Sequence, residues 1–261
     1  MTFLKEVFSC KREQLTIRGN ILKPETEGKL PTVILSHGFA SNANDIKNYA
    51  AHFANDGYIC VSFDFCGSGR SKSDGDSVDM TLSSEKKDLS TIIDYVKQLD
   101  EVDEDHLILA GCSQGGLVSA LVAAEREDEI EKLILYYPAF CIPDHAKRGK
   151  ILGASFDPNN IPETFKVFLM TFGGDYIREA QSLDVYKAAC TYKKSVLICH
   201  GTKDTIVSLD YAYRAQEEYP NAKLVTIKNG DHGFNIIGFK RAMAATDDFL
   251  ANQLTMDVEA R

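Results

Sequence analysis

The feature that most constrains this chain is a rhythm in which short continuous apolar runs alternate with stretches of helical spacing. "TVILSHG" (Thr32–Gly38), "YICVSFDFCGSG" (Tyr58–Gly69), "HLILAG" (His106–Gly111), "KLILYYP" (Lys132–Pro138), "SVLICHG" (Ser195–Gly201) and "KLVTIKNG" (Lys223–Gly230) read as strands buried on both faces. Between them, "IKNYAAHFANDG", "SSEKKDLSTIIDYVKQL", "QGGLVSALVAAERE", "DYAYRAQEEY" and "FKRAMAATDDFLANQL" have helical spacing. Such an alternation predicts an α/β domain, a mostly parallel twisted sheet covered by helices on both faces. Two runs near the start, "FLKEVFSC" and "QLTIRGNILKP", predict an opening antiparallel hairpin. With 261 residues and no repeat, linker or low-complexity stretch, the whole chain, 1–261, is expected to be one domain.

One stretch breaks the rhythm. Residues 139–181, with Pro138 at their edge, hold Pro143, Pro158 and Pro162, so this region and its border carry four of the seven prolines. A structureless loop of that length is improbable in a compact domain, so the stretch reads as a small inserted lid subdomain.

The chemistry is concentrated at Gly111-Cys112-Ser113-Gln114-Gly115, a G-x-S-x-G pattern at the turn from "HLILA" into the next helix. Small residues two before and two after the serine let strand and helix approach closely, and Ser113 is left exposed on a sharp turn. Neither G-K-[ST] nor G-x-G-x-x-G occurs at this turn, which argues against a phosphate-cradling loop. A serine hydroxyl needs a base, and the base needs a carboxylate to orient it. Of six histidines, His232 stands in the glycine-flanked loop "NGDHGF", between the last strand and the last helix. His52, His106, His145 and His200 read as packing or surface residues, and His37 as an anchor for its own loop. Asp204, just beyond "SVLICHG", is the expected carboxylate; Asp210 belongs to the following helix, and Asp231 is a weaker rival. The order Ser113, Asp204, His232 is that of α/β-hydrolases. Donors for a developing oxyanion are expected from the backbone amides of Gln114 and Phe39.

Together "HGF", "DFCGSGRS", "GCSQGG", "HGTKDTIV" and "GDHGF" resemble the α/β-hydrolase superfamily along nearly the whole chain. With the insertion before "AQSLDVYKAAC" and the stretch "FDPNNIPETF…MTFGGDYIREAQ", the chain is similar to bacterial feruloyl and cinnamoyl esterases. That resemblance implies cleavage of hydroxycinnamoyl esters, with the insertion shaping an aromatic acyl pocket. It also implies that Asp144 and Tyr176 hold the ring hydroxyl. A third family position, polar in some relatives, falls near Ile151-Leu152-Gly153, where this chain is apolar; Leu152 is therefore expected at the substrate, favouring plainer acyl groups. A general short-chain carboxylesterase or acylglycerol lipase is the alternative, ahead of a serine peptidase or a non-catalytic binding module.

Composition narrows the partners. A formal net charge of −9 without clustered Lys and Arg argues against nucleic acid. The beginning "MTFLKEVFSCKREQ" lacks a signal-peptide core, and no run of about 20 apolar residues occurs, so no membrane association and a cytoplasmic location are expected. Seven scattered cysteines without a CxxC pair read as reduced, packed thiols. No H-E-x-x-H and no zinc-like spacing occur, so no metal or other cofactor is implied; the expected partner is a small-molecule ester, with pairing into a homodimer left open.

Overall fold

A computed structural model describes residues 2–68 and 72–251. The hairpin β1 (Phe3–Arg12) and β2 (Leu15–Pro24) leads into β3 (Leu30–Ser36), α1 (Lys47–Asn55) and β4 (Ile59–Phe63). Next come α2 (Leu82–Val96), β5 (Val102–Cys112), α3 (Gln114–Glu125) and β6 (Lys132–Tyr136). These strands belong to an eight-stranded sheet ordered β1-β2-β4-β3-β5-β6 and completed by β11 (Ser195–Gly201) and β12 (Ala222–Ile227). From β4 to β12 every pairing is parallel, and only the opening hairpin and its join to β4 are antiparallel. This is the α/β-hydrolase fold.

The parallel strands are bare apolar runs because both faces are covered. One face packs Leu107, Leu109 and Leu133 under α2 and α3. The other packs Val33, Ile108, Ile134 and Leu197 under α1 and α8 (Ile236–Ala251). Helix α3 runs through the middle and is buried on nearly every side, as its apolar sequence requires. Helix α2 starts where Thr81 and Ser84 form a reciprocal capping box.

The structure trims some elements. Only Ile59–Phe63 of "YICVSFDFCGSG" is strand; after it the Asp64 carboxylate takes the chain out of the sheet by accepting from Ala43 N and Lys72 N, each at 2.7 Å. Gly69 to Ser71 of "DFCGSGRS", and Asn252 to Leu254 of the last expected helix, lie outside the described residues. The run "AQSLDVYKAAC" is helical in two pieces: the helix breaks at Leu183, and Asp184 caps a new start by accepting from Lys187 N.

Between β6 and β11 the chain builds α4 (Ile142–Lys147), the ribbon β7–β8 (Lys150–Ile151, Ala154–Ser155), the hairpin β9–β10 (Thr164–Val167, Met170–Gly173), α5 (Gly174–Ser182) and α6 (Val185–Ala189). Helix α7 (Leu209–Glu218) then joins β11 to β12. The two small ribbons stand apart from the main sheet.

Candidate active site

The serine turn is built by close backbone contact. Ser113 has φ 54° and ψ −118°, a conformation that costs a residue with a β-carbon about 1–3 kcal/mol. It is held there by Ser113 N donating to Tyr136 O at 2.9 Å, and by Ser113 O accepting from Ala139 N at 2.9 Å. A β-carbon at Gly111 would lie 2.3 Å from Gly115 O, and one at Gly115 would lie 2.3 Å from His37 O. Neither fits, so both positions must be glycine.

The sequence-expected partners converge on this serine. His232 Nε2 lies 3.0 Å from Ser113 Oγ, and His232 Nδ1 lies 2.8 Å from Asp204 Oδ2. An ionised carboxylate only accepts, so Nδ1 carries the proton and Nε2 is free to accept from the serine hydroxyl. Asp204 comes from the loop after β11, and its Oδ1 accepts from Ile206 N and Val207 N, each at 2.9 Å. Burial raises the Asp204 carboxyl, but hydrogen bonds from His200, His232 and Val207 N–H outweigh it and hold the group below its ordinary range. The His232 ring rests edge-on against Tyr137, with centroids 4.8 Å apart. Asp210 sits in the first turn of α7, where its carboxylate accepts from Ser208 Oγ, and Asp231 is exposed.

The amide positions flank the serine. Gln114 is the first residue of α3, so its N–H has no intrahelical carbonyl to meet. Phe39 follows Gly38, where a β-carbon would lie 3.2 Å from Ser113 Cβ, so its loop passes directly over the serine. His37 fixes that loop: buried completely, it meets Gly38 O through Nδ1 at 2.8 Å and accepts from Phe65 N through Nε2 at 3.1 Å. Burial pushes the His37 imidazole below its ordinary value, in keeping with a neutral ring that donates and accepts once each.

Beside Ser113 opens a cleft walled by Phe39, Ala139, Ile142, Ile151, Leu152 and Val207, with Gln114, His145 and Tyr176 also lining it. It is a narrow cleft of about 380 Å³ counted to its mouth. Leu152 lines it from the β7–β8 turn, with φ 44°. Tyr176 is buried completely, and its hydroxyl donates to Gln114 Oε1 at 2.5 Å. Gln114 Nε2 in turn donates to Glu85 Oε2 at 2.6 Å. Asp144 is not among the lining residues; its carboxylate accepts from Tyr211 Oη at 3.1 Å.

The Glu85 link has no counterpart in the sequence reading. No local signal marks it, because Glu85 and Gln114 lie on different helices 29 positions apart. His200 is packed in the interior, as its place at the end of an apolar strand predicts, and its Nε2 in addition lies 3.3 Å from Asp204 Oδ2. His52 and His106 pair with carboxylates of Asp247 and Glu131 near the surface. Among the described residues no helix is long and apolar enough to cross a membrane.

A parallel sheet whose fifth strand turns sharply through a serine into a buried helix, with His and Asp delivered by later loops, defines an α/β-hydrolase of the serine esterase type. Residues 29–167 match the family described as serine aminopeptidase, S33, and the chain belongs to it. The solved structure of Est1E from Butyrivibrio proteoclasticus with ferulic acid bound is similar, at 31% identity and TM-score 0.89, over 95% of this chain and 99% of that one. The mitochondrial palmitoyl-protein thioesterase ABHD10 of mouse is 25% identical over 249 residues, covering 90% of this chain and 80% of that protein. Its solved structure, 20% identical with TM-score 0.75 over 95% of this chain and 99% of that one, shares the fold. The match supports esterase or thioesterase chemistry.

Proposed function

We propose that this protein hydrolyses carboxylic esters through an acyl-enzyme on Ser113, with hydroxycinnamoyl esters as its substrates. The hydrogen-bonded chain from Ser113 Oγ through His232 to Asp204, beside a narrow apolar cleft, carries the reading. Ser113 Oγ attacks the ester carbonyl as His232 Nε2 takes its proton, and the negative charge on the carbonyl oxygen is met by the amides of Phe39 and Gln114. The tetrahedral intermediate collapses, His232 returns the proton to the departing alkoxide, and the alcohol leaves. Water then attacks the acyl-serine by the same route, giving the free acid and restoring Ser113. Asp204 keeps Nδ1 protonated and stabilises the imidazolium.

The acyl preference rests on the cleft and on the relative. A narrow cleft suits a flat conjugated acyl group, and Phe39 and Tyr176, with ring centroids 5.4 Å apart, offer it aromatic walls. Ferulic acid is the molecule bound to Est1E, 31% identical over nearly its whole length. A fatty-acyl ester or thioester is the second reading. It is favoured by Phe168 and Leu169, 79% and 102% exposed at the tip of the β9–β10 hairpin, and by the likeness to the mouse thioesterase. Free, buried thiols suit a reducing compartment such as the cytoplasm.

The test compares kcat/KM for methyl ferulate and methyl p-coumarate with short- and medium-chain p-nitrophenyl esters and a palmitoyl thioester, using Ser113→Ala as control. Hydroxycinnamates ahead by about tenfold, or about 1.4 kcal/mol in the transition state, support the reading. Fatty-acyl substrates ahead select the second one.

A further inference from the structure

The cleft beside Ser113 is almost without free polar groups, because its polar side chains are already committed. Ser113 Oγ meets His232, the Tyr176 hydroxyl is donated to Gln114 Oε1, and Gln114 Nε2 is donated to Glu85. Asp144, one residue before His145, gives its carboxylate to the Tyr211 hydroxyl outside the lining. Besides the Cys141 thiol, a weak donor, that leaves the imidazole of His145 on α4. It lines the cleft, is half-buried, and has no side-chain hydrogen bond among the described residues. Among the described residues its ring neighbour is Tyr211, edge-on with centroids 6.4 Å apart.

We infer that His145 is the specificity-determining residue of the acyl cleft and that it reads a hydroxyl on the far part of the acyl group. Burial and the nearby Arg148 lower its imidazole from the ordinary value, against the attraction of Asp144, and Lys150 lowers it further. A neutral ring has one donor and one acceptor, which complements a hydroxyl and gives no ionic attraction to a carboxylate. Among the side chains that line the cleft, His145 is the strong hydrogen-bonding group left unfilled, so an acyl group that carries a hydroxyl gains a partner there that one without it lacks. The inference rests on the ester-hydrolase reading and adds the residue that selects the acyl group.

The experiment measures the ratio of kcat/KM for methyl p-coumarate to that for methyl cinnamate, which differ only in the ring hydroxyl. The ratio is read in the wild-type protein, in His145→Leu and in His145→Gln, alongside fluorophosphonate labelling of Ser113. The expected result is a wild-type ratio of about 10, a ratio near 1 in His145→Leu and a ratio largely restored in His145→Gln, because the amide again offers a donor and an acceptor. A structural role for His145 would lower both rates together and leave the ratio unmoved. A ratio retained in His145→Leu, or a wild-type ratio near 1 with both esters hydrolysed, overturns the assignment while ester hydrolysis stands. Absence of labelling and of turnover on every ester overturns the ester-hydrolase reading, and this assignment with it.

Discussion

The Nε2 atom of His200 lies 3.3 Å from Asp204 Oδ2, the same oxygen that meets His232 Nδ1 at 2.8 Å. His200 Nε2 also lies 2.9 Å from Val207 O, an acceptor only, so that nitrogen carries the proton and the second histidine is a donor to the carboxylate. Asp204 is therefore gripped by two imidazoles and two backbone amides. Replacing His200 with Phe removes one charge-assisted bond, and kcat is expected to fall about tenfold with Ser113 still reactive toward a fluorophosphonate. Steady-state kinetics with active-site titration checks this.

Asp204→Asn keeps the shape but offers His232 Nδ1 an amide that can donate as well as accept, so the reactive tautomer is no longer enforced. A loss of about 10⁴ in kcat is expected with little change in KM. Single-turnover measurements separate slow acylation from slow release.

Ser113 separates activity from stability. Ser113→Ala is expected to abolish turnover, by about 10⁴-fold or more, and to leave the melting temperature nearly unchanged, since alanine keeps a β-carbon at φ 54°. Ser113→Gly relieves that conformation and is expected to raise Tm by about 2–4 °C, the equivalent of about 1 kcal/mol in a domain of this size. Calorimetry of the two variants side by side decides it.

Tyr176→Phe strands Gln114 Oε1 in the interior. A stability loss of about 1–3 kcal/mol is expected with no substrate present, measured by urea unfolding. A tyrosine whose hydroxyl served only a substrate would show no such loss.

Glu85 supplies a pH dependence. Burial pushes its carboxyl well above the ordinary 4.5, against the hydrogen bond from Gln114, so the folded protein holds a proton that the unfolded chain releases. Above that ordinary value, stability from this group therefore falls as pH rises, by up to about 1.4 kcal/mol per pH unit until Glu85 itself ionises in the fold. Asp88, pushed up to about 6 by burial against the attraction of Arg12, acts in the same direction. Glu85→Gln can still accept from Gln114 and cannot ionise, so its Tm relative to the wild type is expected to be higher at pH 8 than at pH 5. Parallel thermal melts across that range check the sign.

The main sheet and the serine, histidine and aspartate were legible because each depends on local pattern. Apolar runs mark strands, glycines mark the tight turn at Gly111 and Gly115, and His232 stands in a short loop between a strand and a helix. The insertion was legible only as a break in rhythm, since strands as short as Lys150–Ile151 and Ala154–Ser155 carry too few residues for a period. Links between distant side chains were not legible. Glu85, Gln114 and Tyr176 come from three helices, and nothing in their neighbours shows that the three meet. His145 and His200 read as ordinary packing residues for the same reason, because their roles depend on which nearby polar groups are already satisfied.

Gln114 ties two jobs to one residue. Its backbone N–H flanks the serine, while its side chain joins α2 to the insertion through Glu85 and Tyr176. A descendant of this protein adapting to a new acyl group cannot remodel the Tyr176 wall without disturbing the machinery that sets its rate. Leu152 carries no such tie, whereas Gly153 beside it, at φ 91°, has a backbone conformation that disfavours a side chain although the space around it is open. The side chain of Leu152 is thus the place where selection can explore new substrates at small cost, and the part of the pocket tied to the serine turn is the part least able to change.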